Sequence, residues 1–183
     1  MFNLFIASVE EMKRCDNNDI CENDINEKRA NYLKWDEYFM FSAKLASKRS
    51  KDPSRQVGCV IVNNMNRIIG SGYNGFCNGI SDDLLPWTKT SENALENKYL
   101  YVCHAELNAI LNSSGDIKNS ALYTTLYPCS ECSKSIIQSG INKIIYCSEP
   151  DWTKDTYIAA RKMFSIVGTV IIKYTGQNTI MIN

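Results

Sequence analysis

Apolar and polar positions divide the chain into a polar opening segment, a patterned middle and a short tail. Beyond a brief apolar start, residues 1–33 are asparagine-rich and acidic, as in Cys15-Asp16-Asn17-Asn18-Asp19. Such a segment has little to bury and reads as an extension, partly disordered or loosely helical. From Trp35 a helical period sets in, with Trp35, Tyr38, Phe39, Ser42, Leu45 and Ala46 recurring at three- and four-residue steps. Lys51-Asp52-Pro53 ends it, because proline disfavours helix in the residue before it. Val57-Gly58-Cys59-Val60-Ile61-Val62 is apolar on both faces and predicts a buried strand. Arg67 to Gly72 predicts its hairpin partner across Asn63-Asn64. A long irregular stretch, Tyr73 to Val102, follows, and connections of that length are usually functional or mobile.

After His104 the pattern alternates. It predicts helices over Ala105–Leu111, Cys129–Ser139 and Asp155–Phe164, and strands over Ala121–Tyr127, Asn142–Cys147 and Val167–Lys173. A hairpin followed by βα units implies an α/β domain, a mixed sheet with helices on both faces. That domain is placed at 34–176, with 177–183 as a tail.

Composition narrows the class. At 183 residues and 44% apolar, the chain suits one globular domain. Lysine plus arginine and aspartate plus glutamate number 20 each, so nothing in the total favours nucleic acid or an anionic membrane as partner. No apolar run approaches the roughly 20 residues that span a bilayer. Met1 to Ile6 is short, lacks a basic flank and makes a poor export signal. The 8 cysteines are therefore expected to be reduced thiols in the cytoplasm, some of them metal ligands.

The chemistry concentrates in two short pieces. His104-Ala105-Glu106 opens one predicted helix, and Pro128-Cys129-Ser130-Glu131-Cys132 opens the next but for a strand between them. Cys129 and Cys132, three apart, share one face of a first helical turn, where the helix dipole favours thiolates. One imidazole and two thiolates leave a fourth zinc position for water, whose pKa falls from about 15.7 toward about 7. Glu106, two residues from the ligand His104, is placed as proton carrier. This H-x-E…P-C-x-x-C order is the zinc deaminase signature. A structural zinc knuckle closed by Cys103 or a distant cysteine is the competing reading, and it leaves Glu106 without a role.

With these motifs the chain resembles the deoxycytidylate (dCMP) deaminases of the cytidine deaminase-like superfamily. The resemblance runs from Trp35 to about Cys147, more loosely to Lys173. It rests on Trp35-Asp36-Glu37-Tyr38-Phe39-Met40, Ser50-Lys51-Asp52-Pro53, Gln56-Val57-Gly58, Gly72-Tyr73-Asn74-Gly75, Ser81-Asp82-Asp83, Leu85-Pro86-Trp87 and the two zinc segments. It implies a three-layer α/β/α sandwich around a five-stranded mixed sheet. It also implies hydrolysis of dCMP to dUMP and ammonia, feeding thymidylate synthesis, with dCTP activating and dTTP inhibiting, commonly in a homohexamer. Carried over residue by residue, the resemblance puts Asn74 on the substrate. Ala105, between His104 and Glu106, is placed beside it, and Trp152 is offered as an aromatic wall for the base. The 5′-phosphate needs cations or backbone N–H groups, for which Lys51 and Arg55 are the candidates. Asn78, Asp82 and Asp83 match positions near the regulatory nucleotide, where carboxylates can hold its Mg2+. A second zinc, known in some phage relatives, would need Cys15, Cys21, Cys77 or Cys103. Two rivals stay open: a tRNA or free-base deaminase, and a zinc protein without catalysis.

Overall fold

The computed structural model describes residues 28–176. The chain divides into two units with the boundary between Tyr32 and Leu33. The expectations for residues 1–27 and for the tail from 177 onward fall outside the described residues. The second unit carries, in order, α1 (Trp35–Ser47), β1 (Gly58–Val62), β2 (Ile68–Tyr73), β3 (Gly75–Phe76), β4 (Val102–Cys103), α2 (Ala105–Leu111), β5 (Ala121–Leu126), α3 (Ser130–Gln138), β6 (Lys143–Ser148), α4 (Asp155–Val167) and β7 (Val170–Lys173).

Five strands form one mixed sheet in the order β2-β1-β5-β6-β7. β1 is antiparallel to both β2 and β5, whereas β5, β6 and β7 run parallel. The parallel pairs follow from the crossovers through α3 and α4, since a helix must carry the chain back before a parallel strand can start. Successive side chains on a strand point to opposite faces. Accordingly Cys59, Ile61, Leu122 and Ile144 enter one core with Ile136 and Phe164, while Val60, Val62, Tyr123 and Ile145 enter a second with Phe39, Met40 and Ala43. Helix α1 covers one face and α2, α3 and α4 the other, giving the α/β/α sandwich.

Three details depart from the sequence reading. The buried stripe of α1 is Phe39, Met40, Ala43 and Ser47, whereas Trp35 and Leu45 are 57% and 73% exposed. The helix is apolar on more than one side, and its backbone lies against Gly58, where a Cβ would stand 2.0 Å from the Ala43 carbonyl oxygen. Small residues therefore occupy the contact. Val167 belongs to α4, which Gly168 ends in a left-handed conformation, and β7 starts only at Val170. The long stretch after β2 is not wholly irregular: β3 pairs with β4 across its base, and two 3-10 turns, Ala94–Glu96 and Lys98–Leu100, lie within it.

Candidate active site

Two helix starts converge on the reacting centre. His104 is the N-cap of α2 and Cys129 the N-cap of α3, so Glu106 and Cys132 fall in the respective first turns. Helix α2 is held close to the sheet because Gly72 has no side chain: a Cβ there would lie 2.3 Å from the Ala105 carbonyl oxygen. Asn108 Nδ2 donates to the Tyr73 carbonyl at 2.7 Å and fixes the helix lengthwise. The His104 imidazole makes no capping bond. Its Nδ1 lies 3.3 Å from each of the Cys129 and Cys132 sulfurs.

These three ligand atoms lie within 4.8 Å of one another, and they form the only metal-capable group of three or more such residues among the described residues. Hydrogen bonding with Cys132 outweighs burial and, with His104, brings the Cys129 thiol down to about 4. The same bond and burial hold the Cys132 thiol up. Two cysteine sulfurs, which bind zinc as thiolates, and an imidazole are the donor set zinc prefers, one short of a closed structural site.

Glu106 is buried, with Oε2 accepting from Cys132 Sγ at 3.4 Å and Oε1 lying 3.4 Å from Thr124 Oγ1. Burial raises its carboxyl above the ordinary value, although the His104 charge pulls the other way. A buried carboxyl raised in this way, set against the metal-capable cluster, is the kind of group that serves as a general acid–base.

Two adjoining hollows of about 560 and about 300 Å³ open on His104 and Cys129. The smaller also holds Glu106, Ala105 and Asn74 and is lined by Arg55, Lys89, Lys98 and Lys154. Lys51 does not join them. It pairs with Asp82 and lines a separate hollow of about 160 Å³ with Asn78 and Asp82. The reason is local: Lys51 and Asp52 are consecutive in a loop, and Asp52 is the one turned inward. Asp83 is exposed, its N–H donating to Ser81 Oγ at 3.4 Å. Trp152 lies behind the cavity wall. Its ring stands 4.9 Å from that of Tyr127, its N–H donates to Glu149 at 2.8 Å, and the Arg161 guanidinium sits 5.4 Å from its centroid. The aromatic rings lining the smaller hollow are Tyr99, Tyr127 and Tyr157. Cys77 and Cys103, candidates for a second zinc, bring their sulfurs within 3.5 Å of each other but gather no third ligand among the described residues. Cys15 and Cys21 lie outside them.

Sequence reasoning missed Lys89, Lys98, Lys154, Tyr99 and Tyr157. The lysines carry no spacing signal. Tyr157 alone offered one, standing in the first turn of an amphipathic helix that had to pack near α3.

The arrangement defines a zinc-binding hydrolase site of the deaminase class on an α/β/α fold. A family model for the cytidine and deoxycytidylate deaminase zinc-binding region matches residues 33–148, and the chain belongs to that family. A deoxycytidylate deaminase of Mus musculus is 53% identical over 151 residues, covering 82% of this chain and 85% of the relative. That of Homo sapiens is 53% identical over 148 residues, covering 80% and 83%. Among solved structures, the dCMP deaminase of cyanophage S-TIM5, in complex with dCMP and dUMP, superposes with a TM-score of 0.62 at 30% identity. It covers 78% of this chain and 100% of the phage chain.

Proposed function

We propose that this enzyme hydrolyses dCMP to dUMP and ammonia. The observation that carries the reading is the His104, Cys129 and Cys132 cluster with the buried Glu106 against it. The relatives named deoxycytidylate deaminase support the substrate. When bound at this cluster, zinc supplies a Lewis acid that brings the pKa of water from about 15.7 toward about 7. Glu106 accepts a proton from water and delivers it to N3 of the cytosine ring. Water's oxygen adds at C4, and Glu106 then moves a second proton to the departing amine. Atoms balance as one water consumed and one ammonia released.

Asn74 and Ala105 flank the nucleotide. Arg55, Lys89 and Lys154 surround the same hollow and suit a 5′-phosphate, in place of the pairing of Arg55 with Lys51. The separate hollow of about 160 Å³ beyond Asn74 suits a regulatory nucleotide: dCTP as activator and dTTP as inhibitor, with Mg2+ on the triphosphate. There Asn78 and Asp82 form the wall, Asp83 stands nearby, and Arg49 and Lys51 offer positive charge. Exposed apolar residues such as Trp35, Tyr38 and Leu45 suit a homo-oligomer, with a hexamer as the reading. No helix among the described residues is long and apolar enough to cross a membrane, and cytoplasmic work in thymidylate supply fits that.

The test is ammonia release from zinc-loaded protein given dCMP, CMP, deoxycytidine or dCTP, with and without Mg-dCTP or Mg-dTTP. Turnover of dCMP, raised by dCTP and lowered by dTTP, is expected. Zinc-loaded protein inert toward all four overturns the reading.

A further inference from the structure

In the wall of the hollow that holds Glu106 lies an ion pair with no part in the proton chemistry. Lys98 Nζ stands 2.7 and 2.6 Å from the two oxygens of Asp52, and both residues are only 3% exposed. Two charges withdrawn from water are tolerated only when their remaining valences are met. Asp52 meets them by accepting from the N–H of Ser54 at 2.8 Å, of Arg55 at 3.3 Å, and from Asn74 Nδ2 at 3.2 Å. Asn74 Nδ2 also donates to the Arg55 carbonyl at 3.0 Å, and Asn74 Oδ1 accepts from the Val57 N–H at 2.8 Å.

This network fixes the orientation of the Asn74 amide. Both amide protons are spent inside the protein. A flipped amide would set NH2 against the Val57 N–H and oxygen against a carboxylate and a carbonyl. What Asn74 retains is one lone pair on Oδ1, and the residue is among those lining the hollow that holds His104 and Glu106. A lone pair recognises a donor. On dCMP the sugar's only free hydroxyl is at C3′.

We propose that the Asp52–Lys98 ion pair is a positioning device that holds Asn74 as a hydrogen-bond acceptor for the 3′-hydroxyl of the substrate. The inference rests on the dCMP reading. Asp52 and Lys98 touch no reacting atom; they act through Asn74 and so govern sugar recognition more than the proton transfers.

The experiment uses the zinc-loaded full chain and compares dCMP with 2′,3′-dideoxycytidine 5′-monophosphate, which lacks the donor. Wild-type protein should prefer dCMP by about 10-fold in kcat/KM, the scale of one good hydrogen bond. Lys98→Met should raise KM for dCMP several-fold, leave kcat within about 2-fold, and erase most of that preference, as should Asn74→Ala. Combining the two should cost no more than either alone, because coupled residues lose one shared interaction. Zinc content and melting temperature establish that each variant is folded. Asp52→Asn/Lys98→Met, which leaves no lone buried charge, gives the same reading if Lys98→Met does not fold. Equal losses on both nucleotides, additive losses, or a fall in kcat at unchanged KM would make the pair merely structural and overturn the proposal. So would a wild-type enzyme that turns over dCMP without preferring it to the dideoxy nucleotide. A wild-type protein inert toward dCMP would instead sink the dCMP reading itself.

Discussion

Lys51 and Asp52 are neighbours in the chain, yet they hold the long loop after β3 in opposite ways. Lys51 reaches outward to Asp82, with side chains 62% and 32% exposed. Asp52 turns inward to Lys98, with side chains 3% and 4% exposed. Asn74 lines the hollow on each side of this divide. The difference is one of solvent. An exposed pair is worth roughly 0–1 kcal/mol because water and salt screen it. Breaking a buried pair by removing one partner costs about 3–5 kcal/mol, since a lone charge stays behind. The interior side is thus built to keep one geometry, whereas the exterior side can let go of its loop at little cost. A site for chemistry needs the first property, and a site that exchanges effectors tolerates the second.

The hardest blow to the interior side is Glu106→Ala. Loss of a general acid–base costs about 10²- to 10⁴-fold in rate. Turnover should fall by at least that factor while metal analysis still finds one zinc per chain, because Glu106 is no ligand in this geometry. Zinc lost together with activity would make Glu106 part of the metal cage.

Acid should separate the two sides next. Burial works to raise the Asp52 carboxyl, but the Lys98 bond, the backbone N–H groups and the lysine charge outweigh it and hold the carboxyl below its ordinary value. A carboxyl depressed in the folded state contributes stability above its unfolded pKa, and that contribution disappears as pH falls through the folded one. Wild-type melting temperature should therefore drop on acidification below about pH 4, the ordinary range of an aspartate. Asp52→Asn/Lys98→Met should show a shallower drop over the same window. Parallel curves would mean that Asp52 has the same affinity for protons in both states.

What the sequence disclosed divides along similar lines. His104, Glu106, Cys129 and Cys132 were legible because each pair sits within one helical turn, where spacing alone dictates a shared face. The order of helices and strands was legible because α2, β5, α3, β6 and α4 each carry their own period. Lys98, Lys89 and Lys154 were not. They reach the cavity through tertiary placement of a loop and of a helix start, and a lysine in a polar stretch looks the same whether buried or solvated. The two-residue ladder of β3 and β4 is too short to leave a period. The stripe of α1 was misphased because Trp35, Tyr38 and Leu45 are apolar but face outward, so hydrophobicity alone could not choose the face.

A smaller effect tests how well the interior wall is satisfied. Tyr127 is 3% exposed, and its hydroxyl is the one buried side-chain polar atom without a hydrogen-bond partner among the described residues. Burial, with Tyr146 close by, pushes its pKa up to about 12, so it stays neutral. An unmet buried hydroxyl is a cost that phenylalanine would not carry. Tyr127→Phe should therefore keep the melting temperature or raise it by the equivalent of up to about 1 kcal/mol. A clear fall in melting temperature would mean that the hydroxyl is bonded in solution.

The exposed pair should give the smallest signal. A double-mutant cycle of Lys51→Ala and Asp82→Ala isolates their coupling from each side chain's other contacts. With a side chain that is 62% exposed on one partner, the coupling should be about 0.2–1 kcal/mol in low salt. It should shrink toward zero near 1 M salt, where the screening length is about 3 Å. The same cycle on Asp52 and Lys98 should be several times larger and nearly indifferent to salt. If the two cycles matched in size and in salt dependence, solvent would not be what distinguishes the two ends of the loop. The interior pair would then offer Asn74 no firmer a hold than a surface contact does.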